Sequence, residues 1–373
     1  MHKLIWNITI LLLVFISYKS AMVLGVSSQL DGAYSQVQLP SLDLTTYLSE
    51  KFQRRFEKVS TQNFYGHDWW VKAHNEWDYR VWNHLNVSGV VIGEDGYLFE
   101  QSYIDNLYGK KLSEKEGYLN QQKEDILLVD SLLKSKSKEL VFLMMPSKSF
   151  LYPEKIPDFQ ERYVPQYHIH DSFLEFAKAE ELKILNFLDY FKNLELDYPS
   201  FPKQGIHLSE YAESLVLDSL LSFVETETGK DLYDFEFTNL RFQKTPKGRD
   251  ADIGQALNLF DSIPFTEELA YRDFNITRRD TVNTPDVLVI ADSFYWGLYP
   301  ILVNNYLFGN HEFWYRNYEM YSKEIKSQTL SNPERCLASL DKFDYVFIMV
   351  TNTSIEEVGW GYFKNIAEQI SEN

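Results

Sequence analysis

The sequence predicts an α/β fold, three layers deep around a mainly parallel sheet, and three observations carry that expectation. Short apolar runs rich in large aliphatic and β-branched residues occur at 139–145, 182–188, 287–290 and 344–350. Runs of that length and composition suit strands buried on both faces. Stretches at 169–181 and 209–225 place apolar residues at helical spacing between those runs, and alternation of strand with helix packs helices on both sides of a parallel sheet. Two of the runs also end in small polar residues, Asp292-Ser293 and Thr351-Asn352. Open α/β sheets present reactive groups in this way, at the carboxyl ends of their strands. Asp292 and Ser293 also suit a simple helix cap, because both side-chain types accept from free N–H groups.

The bulk numbers exclude several classes. At 373 residues with 45% hydrophobic content the chain can bury a sizeable core. Its net charge of −18, from 54 acidic and 36 basic side chains, removes any general attraction to phosphate backbones, so no nucleic-acid partner is expected. The single cysteine, Cys336, rules out an internal disulfide framework and any multi-cysteine metal site. Aromatic residues make up 16% of the chain, enough to supply stacking surfaces for sugar rings as well as core.

In chain order, residues 1–26 join a basic start, Met1-His2-Lys3, to an apolar run, the pattern of a signal peptide or an uncleaved signal anchor. The chain is therefore expected outside the cytoplasm, in the periplasm or another extracytoplasmic space, with residues 4–26 as the inner-membrane anchor if they are retained. Residues 27–80 read as a linker passing into a helical approach. Residues 81–373 read as the α/β domain, with a polar insertion at about 226–284. Inside it, Val90 to Phe99 places two apolar runs around Gly93-Glu94-Asp95-Gly96, a hairpin pattern. Residues 113–134 follow as an amphipathic helix with Ile126, Val129 and Leu133 in its buried stripe. His67-Asp68, His74 and Glu76 cluster in sequence around Trp69-Trp70 but match no ligand spacing, so packing is the simpler reading.

Several ordered motifs resemble the AlgX/AlgJ-like family of SGNH-hydrolase-like proteins, over roughly residues 45–370. The hairpin at Val90 to Phe99 is one. Met145-Pro146-Ser147-Lys148 with Tyr152-Pro153-Glu154 resembles the family's Pro-x-Lys and Tyr-Pro-Glu loop. Gly205-Ile206-His207 stands in place of its Asp-x-His-Trp motif, Asp252 to Leu257 resembles the segment before its serine strand, and Val287 to Phe294 matches that strand. The resemblance implies an SGNH-hydrolase-like domain and a periplasmic O-acetyltransferase of exopolysaccharide biosynthesis. It also implies a polysaccharide acceptor and a membrane-bound O-acyltransferase as acetyl donor. Neither a cofactor nor a metal is implied.

The chemistry follows from the residue types. A serine hydroxyl becomes an effective nucleophile when a base takes its proton, and histidine suits that task. Ser293 is the expected nucleophile and His207 the expected general base. Asn352, at the end of the last strand, is the expected oxyanion donor, helped by the N–H of Ser293 or Phe294; a strand-end turn residue is its other reading. One departure from the family matters. Gly205 replaces the acidic residue two positions before the histidine, and Leu208 replaces the tryptophan after it. The candidates for orienting His207 are then Asp292, Asp189 or a backbone carbonyl. Lys148, Tyr152 and Trp296 are candidate substrate-binding residues, with loop tethering or packing as the alternative for each. Two further functions stay open: an esterase using the same pair, and a glycan-binding scaffold on a decayed site.

Overall fold

The computed structural model describes residues 30–31, 50–62, 67–158, 165, 167–260, 263, 268–279, 283–330 and 333–372. The expected signal or anchor segment, 1–26, lies outside them. No helix among the described residues is long and apolar enough to cross a membrane. The chain divides into two compact units, Met1–Val90 with Asp252–Pro264, and Val91–Ala251 with Phe265–Asn373.

The first unit is helical. Helices α1 (Lys51–Gln62) and α2 (His67–Trp82) form it together with a short helix, Asp252–Ala256. Asn75 on α2 donates to the Leu257 carbonyl at 2.9 Å, and the rings of Trp69 and Phe260 meet at 5.6 Å. The histidines and acids of α2 pair along the helix itself: His67 with Asp68 at 3.2 Å, His74 with Asp78 at 3.4 Å, and Glu76 with Arg80. They are helix-surface pairs of the ordinary kind.

The second unit opens with a hairpin, β1 (Val90–Ile92) and β2 (Leu98–Glu100), whose boundary with the first unit falls at Val90/Val91. Its turn needs Gly93, because a Cβ there would lie 2.4 Å from the Lys155 carbonyl oxygen. Next come α3 (Gln101–Leu107), α4 (Leu112–Ser135), β3 (Glu139–Met145), α5 (Lys148–Leu151), α6 (Ile169–Ala179), β4 (Lys183–Asn186), α7 (Phe187–Asn193) and α8 (Glu210–Thr228). Within the polar insertion, β5 (Tyr233–Gln243) and β6 (Leu269–Arg278) pair as an antiparallel ribbon. The chain then continues through β7 (Val287–Ala291), α9 (Tyr299–Asn304), β8 (His311–Tyr315), β9 (Glu319–Tyr321), β10 (Gln328–Thr329), α10 (Glu334–Lys342), β11 (Tyr345–Thr351) and α11 (Tyr362–Ser371).

The central sheet runs β10-β9-β8-β7-β11-β3-β4, with five parallel strands from β8 to β4 and an antiparallel extension through β9 and β10. Alternate residues of each strand feed two separate cores. Val141, Leu143, Val287, Val289, Phe347 and Met349 pack with α8, whereas Leu140, Phe142, Leu288, Ile290, Val346 and Ile348 pack with α4, α6, α10 and α11. Each fully buried side chain of this size contributes ~1.5–3 kcal/mol, so the period-two pattern that fills both faces fixes strand register as well as stability. The result is the three-layer α/β/α sandwich that the sequence predicts.

That topology places the site. From β3 the chain crosses outward to β4, and from β7 it crosses the other way to β8, leaving β11 between. Opposite crossovers of this kind open a crevice at the carboxyl ends of the strands between them. Register aligns Ala291 of β7 with Met349 of β11, and Thr351 of β11 with Met145 of β3. Asp292-Ser293, Asn352 and Ser147 therefore leave one edge of the sheet together.

Candidate active site

After β7 the chain turns through a 3-10 helix, Ser293–Gly297, that leads into α9. The Asp292 carboxylate sets that turn. Its Oδ1 accepts from the Phe294 N–H at 3.0 Å, and its Oδ2 accepts from the Thr351 N–H at 2.8 Å and the Thr351 hydroxyl at 2.6 Å. Both oxygens are thus committed away from His207, and Asp292 is a cap and an inter-strand tie, not the orienting carboxylate. The reason is the strand pleat, which sends consecutive residues to opposite faces. Ser293, next in the chain, points the other way and lies 2.9 Å from His207 Nε2 through its Oγ.

His207 is delivered by a braced loop. Ser209 caps α8, accepting from the Ala212 N–H at 3.2 Å and donating to the Pro199 carbonyl at 2.8 Å. Upstream, the Tyr152 hydroxyl accepts from the Ser200 N–H at 2.9 Å and lies 3.0 Å from Ser200 Oγ. The imidazole itself is 9% exposed and meets the Phe294 ring at 5.1 Å. A buried base beside a half-buried hydroxyl is the arrangement that general-base activation needs.

Gly205 has a structural reason. A Cβ there would lie 2.7 Å from Pro202 Cγ, 2.8 Å from the Arg249 carbonyl oxygen and 2.9 Å from that of Asp250. Backbone fills the place where a residue-205 side chain would start. Asp189 does not replace it, since its carboxylate accepts from Asn186 Nδ2 at 2.7 Å at the start of α7.

The segment that fills the space carries a residue that sequence reasoning missed. Arg249 donates through Nη1 to the Ser293 carbonyl at 2.8 Å and pairs through Nη2 with Glu213 of α8. The Ser293–Phe294 peptide is consequently pinned at both ends, its carbonyl by Arg249 and its N–H by Asp292. Gly297 is required beside this pair, because a Cβ there would collide with Glu213 Oε1 and Arg249 Nη2. Burial raises the Glu213 carboxyl to about 8; Arg249 opposes that rise, and Asp250 and Glu210 add to it. Arg249 lies in the polar insertion, where no periodicity or motif marks it.

Asn352 is fully buried. Its Oδ1 accepts from the Ser147 N–H at 2.9 Å, while its Nδ2 has no hydrogen-bond partner among the described residues. An unsatisfied buried donor is costly, of order 1–3 kcal/mol, and calls for a reason. Of the two backbone groups expected to assist, the Phe294 N–H is taken by Asp292, whereas the Ser293 N–H is uncommitted among the described residues. Tyr103 of α3 also adjoins this edge. Burial chiefly, with Asp292 and Glu100 nearby, pushes its phenol up, against a hydrogen bond with Thr351.

The expected substrate-binding residues divide. Lys148 is 2% exposed and donates to the carbonyls of Leu98 and Lys203, at 3.0 and 3.1 Å. It ties the hairpin to the His207 loop, the tethering alternative that the sequence leaves open. Trp296 is half-buried in an aromatic group with Phe313 and Tyr321, at 4.8 and 4.7 Å. Tyr152 braces the loop and also lines a cleft of about 530 Å³ with Tyr97, Phe191, Lys192, Tyr198 and Pro199.

Comparison with known proteins now bears on this geometry. The model of the family described as "SGNH hydrolase-like domain, acetyltransferase AlgX" matches residues 90–292, more than half of the chain. The chain belongs to this AlgX family. The match ends one residue short of Ser293, so the nucleophile position rests on the strand end and the His207 contact. No curated protein sequence matches the chain. Among solved structures, the O-acetyltransferase domain of Pseudomonas putida AlgJ is 13% identical with a TM-score of 0.48, covering 72% of this chain and 92% of its own. Pseudomonas aeruginosa AlgX is 11% identical, with a TM-score of 0.46 and coverage of 78% and 70%. Bacillus cereus PatB1 is 12% identical, with a TM-score of 0.44 and coverage of 71% and 96%.

Proposed function

We propose that this AlgX-family chain is an extracytoplasmic O-acetyltransferase that moves an acetyl group to a polysaccharide hydroxyl through an acetyl-Ser293 intermediate. The observation that carries the reading is the 2.9 Å approach of His207 Nε2 to Ser293 Oγ. Ser293 Oγ attacks the donor's acetyl carbonyl as its proton passes to His207. The oxyanion that forms is met by Asn352 Nδ2 and the Ser293 N–H. Collapse breaks the bond to the donor's leaving group, which takes the proton from His207. In the second half an acceptor hydroxyl gives its proton to His207 and attacks the acetyl carbon, and Ser293 Oγ leaves and is reprotonated. A membrane-bound O-acyltransferase would supply the acetyl group, in keeping with an exported chain. The Tyr152 cleft is the candidate seat for part of the acceptor, and the half-buried Trp296 a second contact.

The same machinery with water as acceptor is an esterase, and the two divide in one experiment. The protein is incubated with an activated acetyl ester, with and without acceptor glycan, and analysed by mass spectrometry. An acetyl adduct on Ser293 that moves to glycan supports the proposal. Turnover to acetate alone supports the esterase. No adduct, with Ser293→Ala indistinguishable from wild type, supports the glycan-binding scaffold and overturns both enzymes.

A further inference from the structure

We propose that His168, His170 and Asp171 form a divalent-metal site of the zinc type at the start of α6, with solvent completing the coordination. The three side chains share no residue with the Ser293–His207 pair, and the sequence alone suggests no metal there. Their ligand atoms all lie within 4.8 Å of one another.

The geometry of the cluster carries the case. His168 Nε2 lies 3.0 Å from the Leu107 carbonyl oxygen. A carbonyl only accepts, so Nε2 carries the proton and, in the neutral ring, Nδ1 presents a lone pair. That lone pair faces Asp171 Oδ2 at 3.5 Å. On the other side His170 Nε2 stands 3.4 Å from Asp171 Oδ1. His170 is 3% exposed, and its Nδ1 has no hydrogen-bond partner among the described residues. Either a proton on His168 Nδ1 or a metal ion can bridge its contact with Asp171, and the zinc titration below distinguishes them.

The spacing fits such a cation. Ligands about 2.0–2.1 Å from a tetrahedral zinc ion sit about 3.3–3.4 Å apart, and the nitrogen-to-carboxylate distances here are 3.5 Å, to Oδ2, and 3.4 Å, to Oδ1. The distance between the imidazoles is the one that would close. The two rings lie nearly parallel, at 15° with centroids 5.3 Å apart, and Phe150 walls both, at 4.8 and 5.0 Å. A metal-bound histidine ordinarily gives its second N–H to a carbonyl or carboxylate, as His168 gives its own to Leu107. Asp171, 43% exposed at its side chain, leaves a path for water to the fourth position.

Helix capping explains part of the cluster, because Asp171 Oδ2 also accepts from the His168 N–H at 2.7 Å. It leaves the buried His170 beside the same carboxylate, its Nε2 3.4 Å from Asp171 Oδ1. Two imidazoles and one carboxylate suit zinc better than magnesium or calcium, which prefer oxygen throughout. Phe150 belongs to α5, which begins one residue after Ser147, the residue that holds Asn352. A bound ion would stiffen that approach to the sheet edge.

The test is a titration of the full chain, stripped with a chelator, with zinc and separately with magnesium, by calorimetry and thermal melting. One equivalent of zinc should bind, and Tm should rise by about 5 °C at a hundredfold excess over Kd, with no response to magnesium. Asp171→Asn, which keeps an acceptor for the helix start, and His170→Gln should each lose the binding and the Tm response while retaining a wild-type circular dichroism spectrum. Absence of saturable zinc binding by the wild type, or stoichiometric binding that survives both substitutions, overturns the site.

Discussion

At Asn352 a single amide is divided between two tasks. Its oxygen holds the Ser147 N–H, and its buried Nδ2 is left without a partner among the described residues. Asn352→Asp keeps an oxygen for Ser147 and removes the NH2 donor, whereas Asn352→Ala removes both. If Nδ2 serves the oxyanion, single-turnover acylation of Ser293 falls by about 10²–10³ in both variants. A wild-type rate in Asn352→Asp would reduce the residue to a loop anchor. Gly205 makes a second residue-scale case. Restoring the family's acid by Gly205→Asp forces a Cβ against the Arg249 and Asp250 carbonyls. Overpacking of this kind costs about 1–3 kcal/mol, so the variant should melt lower and acetylate no faster. A faster, equally stable variant would mean that the 249–250 segment yields.

Among the elements, the turn after β7 carries the proposed nucleophile. The Ser293–Gly297 turn is gripped by β11 through Thr351, by α8 through Glu213, and by Arg249 from the insertion. Glu213 gives this grip a pH dependence. Its carboxyl titrates at about 8 in the fold, raised by burial against the pull of Arg249. The folded protein therefore holds the proton more tightly than the unfolded chain does. The stability that this contributes is complete below the ordinary carboxyl range and is lost as pH rises through about 8. Melting between pH 6 and pH 9.5 should show a fall in Tm that Glu213→Gln removes. A Glu213→Gln profile parallel to wild type would assign the titration to another group.

At the scale of the molecule, the AlgX family match and the three-layer sandwich agree with what the strand runs imply. The long central strands β3, β7 and β11 are legible because burial on both faces demands unbroken apolar runs. β8 escaped notice, since His311 and Glu312 interrupt its pattern; inside the fold, His311 finds the Tyr295 hydroxyl at 2.8 Å and Glu312 finds Trp314 Nε1 at 2.9 Å. The Ser293–His207 pairing was legible too, because strand-end chemistry and motif order both mark it. Arg249 and Glu213 were not, and neither were the true duties of Asp292 and Lys148. Their roles depend on which atoms arrive beside them from 36 to 59 positions away, and no local pattern encodes such arrivals.

The sequence by itself determined the layers, the parallel strands and the edge at which Ser293 and Asn352 emerge, since periodicity and strand-end residues are local properties that burial acts on directly. Only the tertiary structure decided which neighbours those groups keep. It turned Asp292 toward Thr351, buried Lys148 under its hairpin, closed position 205 with backbone, and set Arg249 under the nucleophile. The physical reason is that a polar side chain in a dry interior takes whatever complementary group the packing brings within about 3 Å, and the packing is a property of the whole chain.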